Sequence, residues 1–106
     1  MIYTVTTLEH TKPKYRKDGS SYESRSMRCV GYAATLKEAT TWVTDNVMDI
    51  NEAGYYPFAV IESVSPGIYM FDMDATWFEW DDAQNAYKQL DKCPKEYEKV
   101  IGFGIG

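Results

Sequence analysis

Only one stretch of the chain, Thr35 to Ile50, places apolar residues at helical spacing, and strand-like runs flank it on both sides. Leu36, Ala39, Val43, Val47 and Ile50 recur every three or four residues, which predicts a helix over 35–51 with one apolar stripe. Thr35-Leu36-Lys37-Glu38 reads as a capping box, in which the Thr35 hydroxyl accepts from the Glu38 amide and the Glu38 carboxylate reaches back. Trp42 lies beside the stripe and widens it, and Glu52-Ala53-Gly54 supplies a stop. A lone helix must bury such a stripe on something else, and here only strands are on offer.

Those strands are legible in outline. Ile2 to Leu8 is rich in β-branched residues and reads as an opening strand, and Arg25 to Ala33 returns antiparallel to it, with Gly31 marking a bulge or a close backbone approach. Between them, Thr11 to Tyr22 is basic and turn-rich, which suits a long hairpin loop or a mobile arm. Pro57 to Val64 alternates poorly, as a strand covered on both faces does. Ser65-Pro66-Gly67 is a turn leading into a short strand, Ile68 to Phe71. Ala75 to Trp80 and Ala86 to Leu90 flank the polar residues 81–85 as a hairpin. Residues 95–100 read as one helical turn, and 101–106 as an edge segment of apolar residues alternating with Gly. The expected fold is α+β: an antiparallel sheet of about five to six strands against one main helix, roughly ββ-α-ββββ. The 106 residues suit one domain, 1–106.

Leu, Ile, Val and Phe together number only 20, so the core must draw on the 16 aromatic residues. Trp77, Phe78 and Trp80 alternate along one strand, with Phe78 on the Thr76 face and Trp77 on the Glu79 face. One face packs on the helix. The other either completes the core or presents Trp77 as an anchor beside carboxylates, and Tyr55, Tyr56 and Tyr69 pose the same choice.

The net charge of −5 conceals two segments. Residues 1–30 carry six basic and three acidic residues, whereas residues 38–87 carry ten acidic residues and no Lys or Arg. Such a field opposes direct binding of phosphates and favours a basic partner or a cation. The partner-binding candidates are Asp45, Asp49, Glu52, Asp72, Asp74, Trp77, Glu79, Asp81 and Asp82. A second set, Arg16, Lys17, Arg25 and Arg28, suits an anionic ligand. An acidic surface that only maintains solubility is the alternative to both.

Motifs of chemistry are sparse. His10 is the sole histidine; a nucleophilic pair with Cys29 would need an orienting third group, which the sequence does not supply. Glu79 with Asp81 lacks any fixed separation for acid–base work. Asp72, Asp74, Asp81 and Asp82 match no Ca²⁺-binding loop. No catalytic residue, metal or cofactor is assigned. Cys29 and Cys93 read as free thiols of a reducing compartment, or as a single bridge in an oxidising one. No apolar run has the length of a membrane span, and the opening residues lack a secretory pattern, so a cytoplasmic location is expected.

The stretches PFAVIESVSPGIY and WFEWDDAQNAY, with the terminal GFGIG, resemble a group of small uncharacterised proteins of Gram-positive bacteria and their phages and mobile elements. The resemblance covers about the last half of the chain and implies no reaction and no site residue. It implies a context in which compact acidic proteins block host defence machinery. The leading functional expectation is accordingly a non-enzymatic inhibitor of a basic or nucleic-acid-handling protein, in the manner of an anti-CRISPR protein that mimics nucleic acid. The other is a sponge for a small molecule or signalling nucleotide. A homodimer through residues 101–106 is a further expectation.

Overall fold

The computed structural model describes residues 1–9, 12–24, 27–66 and 74–95. Among the described residues, seven strands and one α-helix follow in the order β1 (Ile2–Leu8), β2 (Lys12–Tyr15), β3 (Ser21–Ser24), β4 (Met27–Ala33), α1 (Leu36–Thr44), β5 (Phe58–Val64), β6 (Ala75–Asp81) and β7 (Ala86–Gln89). Five strands form one sheet in the order β4-β1-β5-β6-β7, and every neighbouring pair is antiparallel. β2 and β3 form a separate two-stranded sheet. The fold is α+β, with α1 packed on the five-stranded sheet.

The two-residue period of the strands divides the core. On the helix side, Val5, Ala33, Ala59, Ile61, Phe78 and Tyr87 pack with Ala39 and Val43 of α1, and Tyr3, Trp42, Ile50 and Trp80 close the margins. On the reverse side, Leu8, Phe58, Val60 and Trp77 cluster with Leu90 and Cys93. β5 is buried at every position, which explains its poor alternation: both of its faces are covered. The aromatic residues do the work the missing aliphatics cannot, for Phe78 and Tyr87 are among the largest fully buried side chains.

Thr35 caps α1 as expected, its hydroxyl accepting from the Glu38 amide at 3.2 Å. The helix ends at Thr44, seven residues before the predicted end at Asn51. Two physical causes act together. The Thr41 and Thr44 hydroxyls donate back to the carbonyls of Lys37 and Thr40, each at 3.0 Å, a pattern that weakens and bends a helix. Asn46 then takes the left-handed conformation, φ 47°, which terminates it. Of the predicted stripe, Ala39 and Val43 are buried, while Leu36 and Val47 are exposed.

Other expectations are refined. Gly31 borders a shift of register, because Val5 pairs with Gly31 and Thr6 with Cys29. The stretch from Thr11 to Tyr22 contributes to the β2–β3 hairpin. Neither cysteine forms a disulfide among the described residues; Cys29 is exposed and Cys93 half-buried. The strand expected at 68–71, the helical turn at 95–100 beyond Lys95, and the edge segment and dimer contact at 101–106 lie outside the described residues, as do His10, Arg25, Tyr69 and Asp72.

Candidate functional site

Residues 46–56 connect α1 to β5 by an unusual path. Amides of Asn46, Asp49, Glu52 and Tyr55 each donate to the carbonyl three residues back, giving a succession of tight turns. Asn46, Met48, Asp49, Glu52 and Ala53 all have positive φ between 47° and 55°, each at a cost of about 1 kcal/mol or more for a residue with a Cβ. Side chains offset that strain. The amide nitrogen of Asn51 donates to Asn46 Oδ1 at 2.9 Å, and buried Asn51 donates through Nδ2 to the Tyr56 carbonyl at 2.8 Å. Asn51 Oδ1 accepts from the Gly54 amide at 2.6 Å. The Tyr87 hydroxyl donates to the same Tyr56 carbonyl, so both lone pairs of that oxygen are used. Burial pushes the Tyr87 hydroxyl up to about 12.

This loop meets one end of the sheet. Leu8, Phe58 and Glu79 lie in one cross-strand row, and the Trp80 amide donates to the Pro57 carbonyl at 2.7 Å one step further on. Glu9, Pro57 and Trp80 therefore line up at the ends of β1, β5 and β6. With Glu52, Ala53, Gly54, Tyr55, Glu79 and Asp82 they enclose an open cleft of about 710 Å³. Glu9 is only 8% exposed, whereas Tyr55 is 53% exposed. The Tyr55 hydroxyl donates to Glu9, and that bond, reinforced by the negative charges of Glu9 and Glu52, raises the phenol above its ordinary value. Trp80 Nε1 donates to Asp82 Oδ1 at 3.0 Å, which orients both the indole and the carboxylate. Trp80 also meets Tyr87 edge to face, with centroids 5.0 Å apart.

Four carboxylates beside two aromatic rings form a setting for a guanidinium or an ammonium. The carboxylates accept charge-assisted hydrogen bonds, and the rings attract a cation to their faces. One guanidinium already stands at the margin: Arg28 pairs with Glu52 at 2.6 Å and lies 4.9 Å from the centroid of the Tyr56 ring. Among the described residues, no group of three or more His, Cys, Asp and Glu side chains is arranged to hold a metal ion.

Of the acidic candidates, the fold brings together Glu52, Glu79 and Asp82. Asp45 caps the exposed end of α1. Asp49 is engaged within the loop, accepting from Asn46 Nδ2 at 3.2 Å. Asp81 accepts from the Ala83 and Gln84 amides and so shapes the β6–β7 turn. Asp74 sits apart before β6, its amide donating to Ser63 Oγ at 2.9 Å. Trp77 requires correction as an anchor, for it is 6% exposed and belongs to the reverse-side core. The aromatic side chains beside carboxylates are Tyr55 and Trp80 instead. Glu9 is absent from the sequence-derived candidates; the signal for it is the strand register, which sets the end of β1 beside Pro57. Among the anionic-ligand candidates, Arg28 is engaged by Glu52 and Tyr56, and Arg16 and Lys17 occupy the exposed β2–β3 turn.

Comparison with protein-family models, with curated proteins and with solved structures finds no match. Among the described residues, no helix is long and apolar enough to cross a membrane.

Proposed function

We propose that this chain is a non-enzymatic, cytoplasmic binding protein that inhibits or modulates a larger basic, nucleic-acid-handling protein. Its carboxylates would take the place of nucleic-acid phosphates, as in an anti-CRISPR protein that acts by mimicry. The observation that carries the reading is the convergence of Glu9, Glu52, Glu79 and Asp82 around Tyr55 and Trp80. Opposite charge speeds encounter with a basic surface, and the half-exposed rings supply contact energy once the cation is seated. The sponge reading has less support, because Arg28 is already paired with Glu52 and Arg16 and Lys17 lie in the exposed β2–β3 turn.

Affinity capture from lysate of the host cell, at low and at raised salt, tests the proposal. The expected result is a basic nucleic-acid-handling protein retained at low salt, released by salt, and lost with the triple variant Glu52→Gln/Glu79→Gln/Asp82→Asn. Recovery of no such protein, or equal recovery by the triple variant, contradicts it.

A further inference from the structure

The guanidinium at the margin of the cleft belongs to the chain itself, and β4 is bulged so as to deliver it there. Val5 pairs with Gly31, so regular pairing would set Arg28 opposite Leu8, which belongs to the reverse-side cluster. The bulge leaves Val30 as an extra residue, and Arg28 stands opposite Thr7 instead. A shift of one residue carries a side chain to the other face of the sheet, here the face that packs on α1. Re-aiming a side chain beside a site is a recurrent use of bulges.

So aimed, Arg28 borders both sides of the loop. On the far side it lines an apolar groove of about 790 Å³ walled by Trp42, Val47, Met48 and Ile50. On the near side it reaches Glu52, which lines the acidic cleft, and lies over the Tyr56 ring. Tyr56 in turn meets Tyr55 of the cleft edge to face, with centroids 4.8 Å apart. Arg28 thus takes a carboxylate oxygen and an aromatic face together, the combination that Asp82 and Trp80 present in the cleft. The ion pair is open to water, its side chains being 44% and 42% exposed, so it contributes little to folding. The loop has its Asn51 and Tyr87 bonds without it.

We infer that Arg28 is an internal occupant of the partner's site, holding Glu52 and the Tyr56 face until an arginine of the partner displaces it. This rests on the proposed function for the sign of the partner's charge. Two effects follow from the ion pair. Arg28 offsets one of the four cleft carboxylates, so an approaching cation meets a weaker field. An isolated cation also gains little at Glu52, because one cation only replaces another there. A segment that engages Glu79, Asp82 and Trp80 at the same time gains the rest of the cleft, so Arg28 selects such segments over single cations. The displacing group is a guanidinium by preference, since its plane and its fork of donors reproduce both contacts of Arg28, whereas a compact, strongly hydrated ammonium does not.

The test uses the full chain and two short peptides of otherwise neutral residues, one bearing three arginines and the other three lysines. Arg28→Gln should bind the arginine peptide about threefold to fivefold more tightly than the parent, the scale of one exposed ion pair, with a smaller gain for the lysine peptide. It should melt within about 4 °C of the parent. A contact that only supported the loop would give the opposite sign, weaker binding on its removal. Two controls assign the gain to Glu52 and not to net charge. Lys37→Gln, the same charge change on α1, should alter binding less, and Arg28→Gln made in a Glu52→Gln background should bring no gain. Unchanged or weaker binding by Arg28→Gln overturns the inference, as does an equal gain in Lys37→Gln or in the Glu52→Gln background. If neither peptide binds the parent or Arg28→Gln, yet the triple carboxylate variant loses the captured protein, the inference falls and the proposed function stands; if capture also fails, both fall.

Discussion

The acidic cleft and the apolar groove are built from opposite sides of one loop, yet they share almost no chemistry. Glu52, Ala53, Gly54 and Tyr55 wall the cleft, whereas Val47, Met48 and Ile50 wall the groove. The left-handed residues between Asn46 and Ala53 turn the chain so that neighbours in sequence face different surfaces. A segment that is uniformly acidic in charge count is therefore not a uniformly acidic surface. The fold collects some carboxylates at the sheet end, spends others on turns and caps, and leaves apolar side chains beside β4.

Trp77→Ala gives the largest effect expected and sharpens the distinction between core and cleft. It removes a buried indole and should cost about 3–5 kcal/mol in urea unfolding. Trp80→Ala should cost less and should weaken cation binding in the molecules that remain folded. Equal stability losses with no binding difference would erase the distinction between these two tryptophans.

Asn51→Ala tests whether one loop serves both surfaces. It strands the Gly54 amide and takes one donor from the Tyr56 carbonyl, at an expected cost of about 2–3 kcal/mol. Hydrogen exchange should quicken on both sides of the loop, at Val47–Ile50 and at Glu52–Tyr55 alike. Faster exchange on one side only would separate the two surfaces mechanically.

Alkali acts on the same anchor. The Tyr87 phenol is raised from 10.0 to about 12 by burial, so its contribution to stability is whole below pH 10. It declines as pH rises through 12, because the unfolded chain gives up that proton more readily. Tyr87→Phe should flatten the loss of stability over that interval, and an unchanged alkaline limb would contradict this account of Tyr87.

The smallest effect on folding belongs to the cleft carboxylates. Glu79→Gln with Asp82→Asn should move stability by no more than about 0.5 kcal/mol, since both side chains are exposed. The same pair should reduce the salt dependence of binding. A large stability change would assign them a structural role in place of a binding one.

Much of the scaffold was legible because its signals are local. The alternation of Ala75 to Trp80, the Thr35 cap and the buried run of β5 each follow from a few adjacent residues. The helix end was not, since the apolar period continues to Ile50 while the threonine hydroxyls and Asn46 compete with the helical backbone. The cleft was partly legible. Composition pointed to Glu52, Glu79 and Asp82, but Glu9 joins them only through the pairing of β1 with β5, a contact more than forty residues apart in sequence. Trp77 and Trp80 share a strand and a residue type, and their different fates depend on what covers each face of the sheet.

The most direct measurement is a nuclear magnetic resonance titration of the protein with a short arginine-rich peptide, at low and raised salt. The account predicts saturable shifts centred on the Trp80 Nε1 proton and the amides of Glu52–Tyr55, weakened by salt and absent in Glu52→Gln/Glu79→Gln/Asp82→Asn. Shifts spread evenly over Asp45, Asp74 and the remaining acidic residues, or persisting in the triple variant, would contradict it.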